Sequence, residues 1–322
     1  MKFPRVGVVA HVVGFLLFAR GAAAAQKMCS ATFLVMATNQ RTNEPIDGLS
    51  GSDFHVKVKG REIAIRSVAP APQHRRILFV LDRSGSMREG WKDPLRGSYY
   101  PQALMKQTLE EALRAIPVDD AVAFLDFAGK FSSRTEWMPP GMARQRLQDL
   151  LKWKPVGAGQ KWRTALWDNI DSAWRMLTPH EPGDVLIVLT DGGDNLSRTS
   201  ERKVRKELLS SGVEVFAMVI ANPDEVTAEE LDGLYSLLDL AKKTGGVAPA
   251  IGYGIPGMGT GVLLPILPGA LVRLLPHQYR FEVAAPCATK PEKMQVEAGP
   301  LEGGVRARLF YPHSLVFRAA AQ

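Results

Sequence analysis

The chain has few of the residues that organise small or metal-rich proteins. It contains two cysteines in 322 residues, and its 46% hydrophobic and 23% charged residues are near the averages for globular proteins. This composition excludes a disordered tail, a collagen-like fibre and a small disulfide scaffold. The six histidines are scattered, which gives no zinc motif, and neither a P-loop nor a Gly-x-Ser-x-Gly motif is present. We therefore expect that the protein is not an enzyme.

A strong net charge and a membrane-spanning segment are also lacking. The net charge of +7 is mild, whereas nucleic-acid binding usually requires a clustered basic face. The uncharged run Val6–Ala19 has 14 residues, too few to span about 30 Å of hydrocarbon as a helix. It follows Lys2 and Arg5 and precedes Ala22–Ala25, which is the layout of a secretory signal peptide. We expect a signal peptide over residues 1–25, with an uncleaved anchor as the alternative. The mature chain is then exported, to the periplasm or outside the cell, without a transmembrane segment.

The two cysteines, Cys29 and Cys287, lie near opposite ends of the mature chain. In an exported protein such a pair is a candidate disulfide, and two unrelated buried thiols are the alternative. Segments beside the two cysteines, Thr32–Thr38 and Gln278–Ala284, have the composition of strands. These strands could share one small sheet, which would bring the cysteines together.

The hydrophobic pattern predicts three regions after the signal peptide. Residues 26–72 alternate apolar and polar side chains between turn residues, which predicts an N-terminal β module. Residues 73–254 alternate apolar runs with helical spacing, which predicts an α/β domain with a doubly wound, mostly parallel sheet. Residues 255–322 form a C-terminal segment with β-strands, and a loop at 252–261 and a broken helix at 263–275 are expected there. The expected fold class is therefore α/β with small flanking β segments from both termini. The buried strands of the domain are predicted at Ile77–Leu81, Ala121–Phe127, Val185–Leu189 and Val213–Ile220.

Oxygen-bearing side chains follow the first and third of these buried strands. Asp82, Ser84 and Ser86 come after the first, Asp191 comes after the third, and Thr164 opens a predicted helix. Because ligands of open α/β sheets bind beyond the carboxyl ends of the strands, we expect these residues to converge. Their oxygens suit a divalent cation, most of all Mg²⁺, with Mn²⁺ or Ca²⁺ as alternatives to it. A helix cap without a metal is the simpler alternative.

In their order these five residues resemble the metal-ion-dependent adhesion site (MIDAS) of the von Willebrand factor type A (VWA) domain. That site has the pattern Asp-x-Ser-x-Ser, then a Thr, then an Asp, and the resemblance covers about residues 76–250. It implies a Rossmann-like VWA fold. It also implies that Ser84, Ser86 and Thr164 ligate the metal directly, while Asp82 and Asp191 act partly through water.

A wider resemblance is to the exported VWFA-related proteins common in Acidobacteria. It rests on Asp47–Phe54, Leu240–Gly246, Gln278–Arg280 and Val305–Arg308. This resemblance informs architecture more than activity.

Two arginines depart from the metal-site pattern. Arg83 lies inside the first loop, and Arg163 replaces the small residue that is usual before Thr164. Guanidinium groups near the ion would weaken its binding and favour an anionic partner, unless both side chains point to solvent. Asp194 is expected in a surface turn, with a supporting role at the metal as the alternative.

The sequence thus predicts an exported VWA protein that binds a protein partner through a divalent cation and an acidic group of that partner. One alternative is a metal-assisted hydrolase, which needs a general base near the ion, and only Asp191 and Asp194 are available. The other is a structural subunit of an envelope complex with a vestigial metal site, which Arg83 and Arg163 favour.

Overall fold

The computed structural model of the protein describes residues 27–70, 74–88, 90–93, 97–129, 131–151, 163–220, 226–251 and 274–318. The predicted signal peptide, the loop at 252–261 and most of the predicted broken helix lie outside the described residues, so these remain predictions. Within the described part of the chain, no helix has the length and apolar character that crossing a bilayer requires.

The described residues form fifteen strands and five α-helices. The strands are β1 (Met28–Asn39), β2 (Phe54–Val58), β3 (Arg61–Pro70), β4 (Arg76–Asp82), β5 (Trp91–Asp93), β6 (Gly97–Tyr99), β7 (Ala121–Ala128), β8 (Phe131–Arg134), β9 (Val185–Thr190), β10 (Glu214–Ile220), β11 (Ala250–Ile251), β12 (Gln278–Pro286), β13 (Glu292–Ala298), β14 (Ala307–Phe310) and β15 (Ser314–Leu315). The helices are α1 (Pro101–Ala115), α2 (Pro140–Leu150), α3 (Leu166–Met176), α4 (Glu201–Ser211) and α5 (Ala228–Thr244). Strands β5 and β6 pair as a short hairpin between β4 and α1.

The middle of the chain forms a six-stranded sheet in the order β11-β10-β9-β4-β7-β8. All neighbouring strands are parallel except β7 and β8, which are antiparallel. Counted along the chain from β4, this order is 3-2-1-4-5-6, the doubly wound arrangement. The mostly parallel sheet predicted for this region is therefore confirmed, and each of its four predicted strands is present.

Helices cover both faces of this sheet because its central strands are apolar on both sides. Ile77 and Phe79 pack in one cluster with residues of α1 and α2, whereas Leu78 and Val80 pack in another with residues of α3, α4 and α5. This division follows from the two-residue period of a strand. Helix α4 ends at Gly212, whose φ of 82° is the left-handed conformation that favours glycine.

A second sheet has seven strands, in the order β14-β1-β12-β3-β2-β13-β15, and every neighbouring pair is antiparallel. The expectation of small flanking β segments was therefore wrong in scale, because this sheet is the larger of the two. Its strands come from both ends of the chain. A few amphipathic strands are only marginally stable on their own. In one sheet, the strands from the two ends of the chain share one core.

The core of the seven-stranded sheet is aromatic and lies beside a disulfide. The Phe281 ring lies 5.3 Å from that of Phe33 and 4.9 Å from that of Phe54, measured between centroids. Cys29 and Cys287 form the predicted disulfide, with their Cα atoms 4.8 Å apart. The flanking strands β1 and β12 pair with each other, as expected from their positions beside the cysteines.

A buried polar network joins the two sheets at the amino-terminal edge of the parallel strands. The Arg75 guanidinium donates to Asp120 Oδ2 at 2.7 Å and to Gln278 Oε1 at 3.2 Å. Gln278 Nε2 in turn donates to Glu214 Oε2 at 2.7 Å. All four residues are buried. Arg75, Asp120 and Glu214 belong to the six-stranded unit, whereas Gln278 opens β12 of the other sheet.

Candidate metal centre at the sheet edge

The predicted metal-site residues lie at the carboxyl edge of the parallel sheet. Asp82 is the last residue of β4, and Asp191 directly follows β9. These two strands are neighbours in the sheet, and the chain winds away from them in opposite directions. In an open α/β sheet this is the topological switch point, where a crevice for ligands forms. The fold therefore brings the first and third loops together, as predicted.

Asp82 is fully buried and held by two donors. The Ser84 backbone N–H donates to Asp82 Oδ1 at 2.8 Å, and the Thr190 hydroxyl donates to Oδ2 at 2.7 Å. Thr190 Oγ1 also accepts from the Gly192 N–H at 3.0 Å. Both oxygens of the carboxylate are thus oriented by the chain itself before any ligand arrives.

The two serines connect the loops of Asp82 and Asp191. The Ser84 and Ser86 hydroxyl oxygens lie 3.1 Å apart, and the Ser86 side chain hydrogen-bonds to Asp191. The Gly193 N–H donates to Asp191 Oδ1 at 3.0 Å. Four of the five predicted residues thus form one cluster of oxygens.

The two carboxyl groups of this cluster are costly to ionise. Burial raises the pKa of Asp82, although hydrogen bonds from Ser84 and Thr190 lower it. Burial also raises the pKa of Asp191, and the negative charge of Asp82 raises it further. Two carboxylates that share a buried site are stabilised by a proton or by a cation.

Thr164, the fifth predicted residue, is buried and attached to the loop that carries Asp191. Its backbone N–H donates to Asn195 Oδ1 at 3.0 Å, and the Asn195 N–H donates back to its carbonyl at 3.0 Å. These contacts fix the start of α3 against the third loop. The contacts of Thr164 therefore tie it to the Asp191 loop by way of Asn195.

Asp194, in the partly exposed loop after β9, also joins these two loops, a role that the expected surface turn did not include. The carboxylate is half-buried, accepts from the Leu166 N–H at 3.0 Å and accepts from the Ser197 hydroxyl at 2.6 Å. Leu166 is the first residue of α3, whose opening N–H groups have no partner within the helix. Asp194 thus caps a helix that is distant in sequence, and its spacing gave no signal of this.

The two arginines differ in their surroundings. Arg83 Nη1 donates to Asp126 Oδ2 at 2.6 Å, and both side chains are largely buried. Arg83 therefore forms an ion pair towards β7, which neither of the two sequence interpretations anticipated. Arg163 is exposed, in agreement with a side chain that points to solvent.

Two residues of this site were not singled out from the sequence. Thr190 was not among the predicted ligands, yet its hydroxyl is the partner of Asp82. Asp126 balances the charge of Arg83. Thr190 had a detectable signal, because a threonine that ends a buried apolar strand points a hydroxyl at the sheet edge. Asp126 had no local signal.

The donor set fits a hard divalent cation. It offers two carboxylates and three hydroxyl groups, which suit Mg²⁺, Mn²⁺ or Ca²⁺ better than a metal that prefers nitrogen or sulfur. Within the described residues, no three His, Cys, Asp or Glu side chains gather in a way that could hold a metal. Any ion at this edge would therefore depend on the hydroxyl oxygens as much as on the carboxylates.

Comparisons with known proteins give only distant similarities. No protein-family model matches the chain, and no curated protein matches it. Among solved structures, the conserved hypothetical protein BatB from Bacteroides thetaiotaomicron is 18% identical, with 55% of this chain and 90% of that chain covered and a TM-score of 0.43. An aerotolerance-related membrane protein from Bacteroides fragilis is 19% identical, with 62% and 98% covered and a TM-score of 0.44. A von Willebrand factor type A structure from Catenulispora acidiphila is 11% identical, with 91% and 75% covered and a TM-score of 0.43.

Proposed function

We propose that this protein is an exported, VWA-like binding protein that captures an acidic group of a protein partner through a divalent cation. Asp82, Ser84, Ser86, Thr164 and Asp191 would hold the ion. The observation that carries the proposal is the cluster of two buried carboxylates and two serine hydroxyls at the switch point of the sheet. We also propose that the protein is related to the exported VWFA-related proteins.

The ligand set of the cluster would favour an acidic partner. The two carboxylates balance the formal charge of a divalent cation but act partly through water, so they leave coordination positions of the ion open. Mg²⁺ would supply such a position for a carboxylate oxygen of the partner. Arg83 is balanced by Asp126, so it opposes ion binding less than its position in the sequence suggested. This weakens the support for a vestigial site.

A calorimetric titration of the purified full chain with Mg²⁺, Mn²⁺, Ca²⁺ and Zn²⁺ tests the metal. We expect binding of at least one of the first three, and no preference for zinc. Ser84→Ala with Ser86→Ala removes two ligand oxygens and should weaken ion binding at least about tenfold, since even the loss of a group that only orients a metal ligand typically costs about 10–100-fold in metal affinity.

The matched control is Ser132→Ala with Ser172→Ala, which removes two exposed hydroxyls elsewhere. It should leave ion binding unchanged. A second experiment captures partners from envelope extract with and without EDTA. If no divalent cation binds, or if capture survives both EDTA and the Ser84/Ser86 substitution, the proposal is wrong.

A further inference from the structure

A basic cleft lies where helix α4 faces the β13–β15 edge of the seven-stranded sheet. Its volume is about 510 Å³, within the range typical of ligand sites. One wall is the face of α4 that carries Glu201, Arg202, Arg205, Lys206 and Leu209, and the other wall includes Pro291 and Ser314. The cleft contains none of the candidate metal-binding residues.

Only one of the three cations in the cleft is neutralised. Arg205 forms ion pairs with Asp239 and with Glu201, the latter at 3.4 Å. Arg202 and Lys206 are exposed, and among the described residues neither forms an ion pair. The cleft therefore presents two positive charges without a balancing group.

These two charges lower the stability of the helix that carries them. Arg202 and Lys206 stand four residues apart on one face, where like charges repel each other. Arg202 also lies in the first turn of α4, where the helix dipole disfavours a cation. The exposed Lys290 and Lys293 lie within two residues of Pro291 in the sequence. An anion in the cleft would relieve both costs.

We propose that the basic cleft binds an extended acidic peptide of a partner protein, with carboxylates at alternate positions. Residues four apart on a helix have Cβ atoms about 5–6 Å apart. Alternate residues of an extended peptide point to the same side and are about 6.6–6.8 Å apart. Two such carboxylates can thus meet Arg202 and Lys206 together, while Leu209 and Pro291 offer apolar contact to the aliphatic stems.

The test is a titration of the full chain in EDTA with a ten-residue peptide that carries Glu at alternate positions. EDTA removes divalent cations, so the result does not depend on the metal centre. Each of the two proposals can therefore fail while the other stands. Arg202→Gln with Lys206→Gln should weaken binding about tenfold, as expected for two largely exposed ion pairs. The control Arg144→Gln with Arg146→Gln removes the same charge from exposed positions on α2 and should change binding less than about twofold.

Three outcomes would overturn the proposal. The first is equal weakening by both double substitutions, which would mean a general attraction to a basic protein. The second is the absence of binding, or binding that is as strong when Gln replaces every Glu of the peptide. The third is that inorganic phosphate or phosphatidylglycerol vesicles bind through Arg202 and Lys206 while the peptide does not. A thermal melt guards against misfolding, because the Arg202/Lys206 variant should be at least as stable as the parent.

Discussion

The two sheets are both well buried, yet they are assembled in different ways. The six-stranded sheet uses a continuous part of the chain, from Arg76 to Ile251, and all its neighbouring strands except β4 and β9 follow each other directly within the sheet's chain order. The seven-stranded sheet joins the two ends of the chain, and its disulfide links residues 258 positions apart. Closing such a long loop costs conformational entropy that local crossovers avoid. We therefore expect the antiparallel sheet to depend on its cross-link more than the parallel sheet does.

The buried charged groups at the two edges of the parallel sheet also differ in how they are paired. At the amino-terminal edge, Arg75 faces Asp120 directly, so the buried charges largely balance each other. At the carboxyl edge, Asp82 is held by hydroxyl and amide donors beside a second buried carboxylate, Asp191. Burial alone therefore does not mark a binding site. The carboxyl edge, with its two adjacent carboxyl groups, is the one where we propose an external cation.

Removal of the disulfide should give the largest effect. Cys29→Ala with Cys287→Ala should lower the free energy of unfolding by about 5.5 kcal/mol on the chain-entropy account of a loop this long. Denaturant unfolding of the oxidised parent and the double variant measures the difference. Hydrogen exchange should show the loss of protection chiefly in β1 and β12, with β4 and β9 retaining theirs.

An equal loss of protection in both sheets would contradict this comparison, because it would mean that the molecule unfolds as one unit. Two alkylatable thiols in the native protein would contradict the cross-link itself. The reduced parent serves as the control, since it keeps both sulfur atoms and lacks only the bond.

Much of the parallel sheet could be predicted because its signals are local. The continuous apolar run at Ile77–Leu81 and the helical spacing after it are visible within short windows. The antiparallel sheet was underestimated because pairing between distant strands leaves no local trace. Strand β13 was not predicted, although Met294 and Val296 alternate with exposed residues.

The candidate site, like the sheets, was predictable only where its residues are close together in the sequence. Asp82, Ser84 and Ser86 are close in sequence, so their convergence follows from one loop at a strand end. The partners Thr190 and Asp126 required knowledge of which strands are neighbours of β4. A single sequence supplies strand positions more readily than strand order.

Arg75→Met should give the next largest effect, because it breaks the network that joins the sheets. The substitution leaves the buried Asp120 carboxylate without its cation, which typically costs about 3–5 kcal/mol. Arg175→Met is the control, since more than half of the Arg175 side chain is exposed in its pair with Asp171, and pairs at the surface contribute little to stability. Denaturant unfolding compares the two. Adding Asp120→Leu to Arg75→Met should recover much of the loss, and failure to do so would indicate that Arg75 acts through Gln278 instead.

The smallest effect is expected from Glu214, at the end of the same network, and it depends on pH. Burial raises the pKa of this carboxyl group to about 7, although Gln278 and the charge of Arg75 lower it. Since the pKa in the folded state is above its ordinary value of 4.5, the folded state binds the proton more tightly. The stabilisation by this group is complete below pH 4.5 and is lost as the pH rises through 7.

Glu214→Gln keeps the shape without the charge, so it should match the parent at pH 4.5 and exceed its stability at pH 8.5 by about 2–3 kcal/mol. Unfolding curves across this range measure the difference, with the exposed Glu302→Gln as the control that should follow the parent at every pH. A Glu214→Gln curve parallel to that of the parent would mean that Glu214 ionises freely, and the buried junction between the sheets would then be open to water.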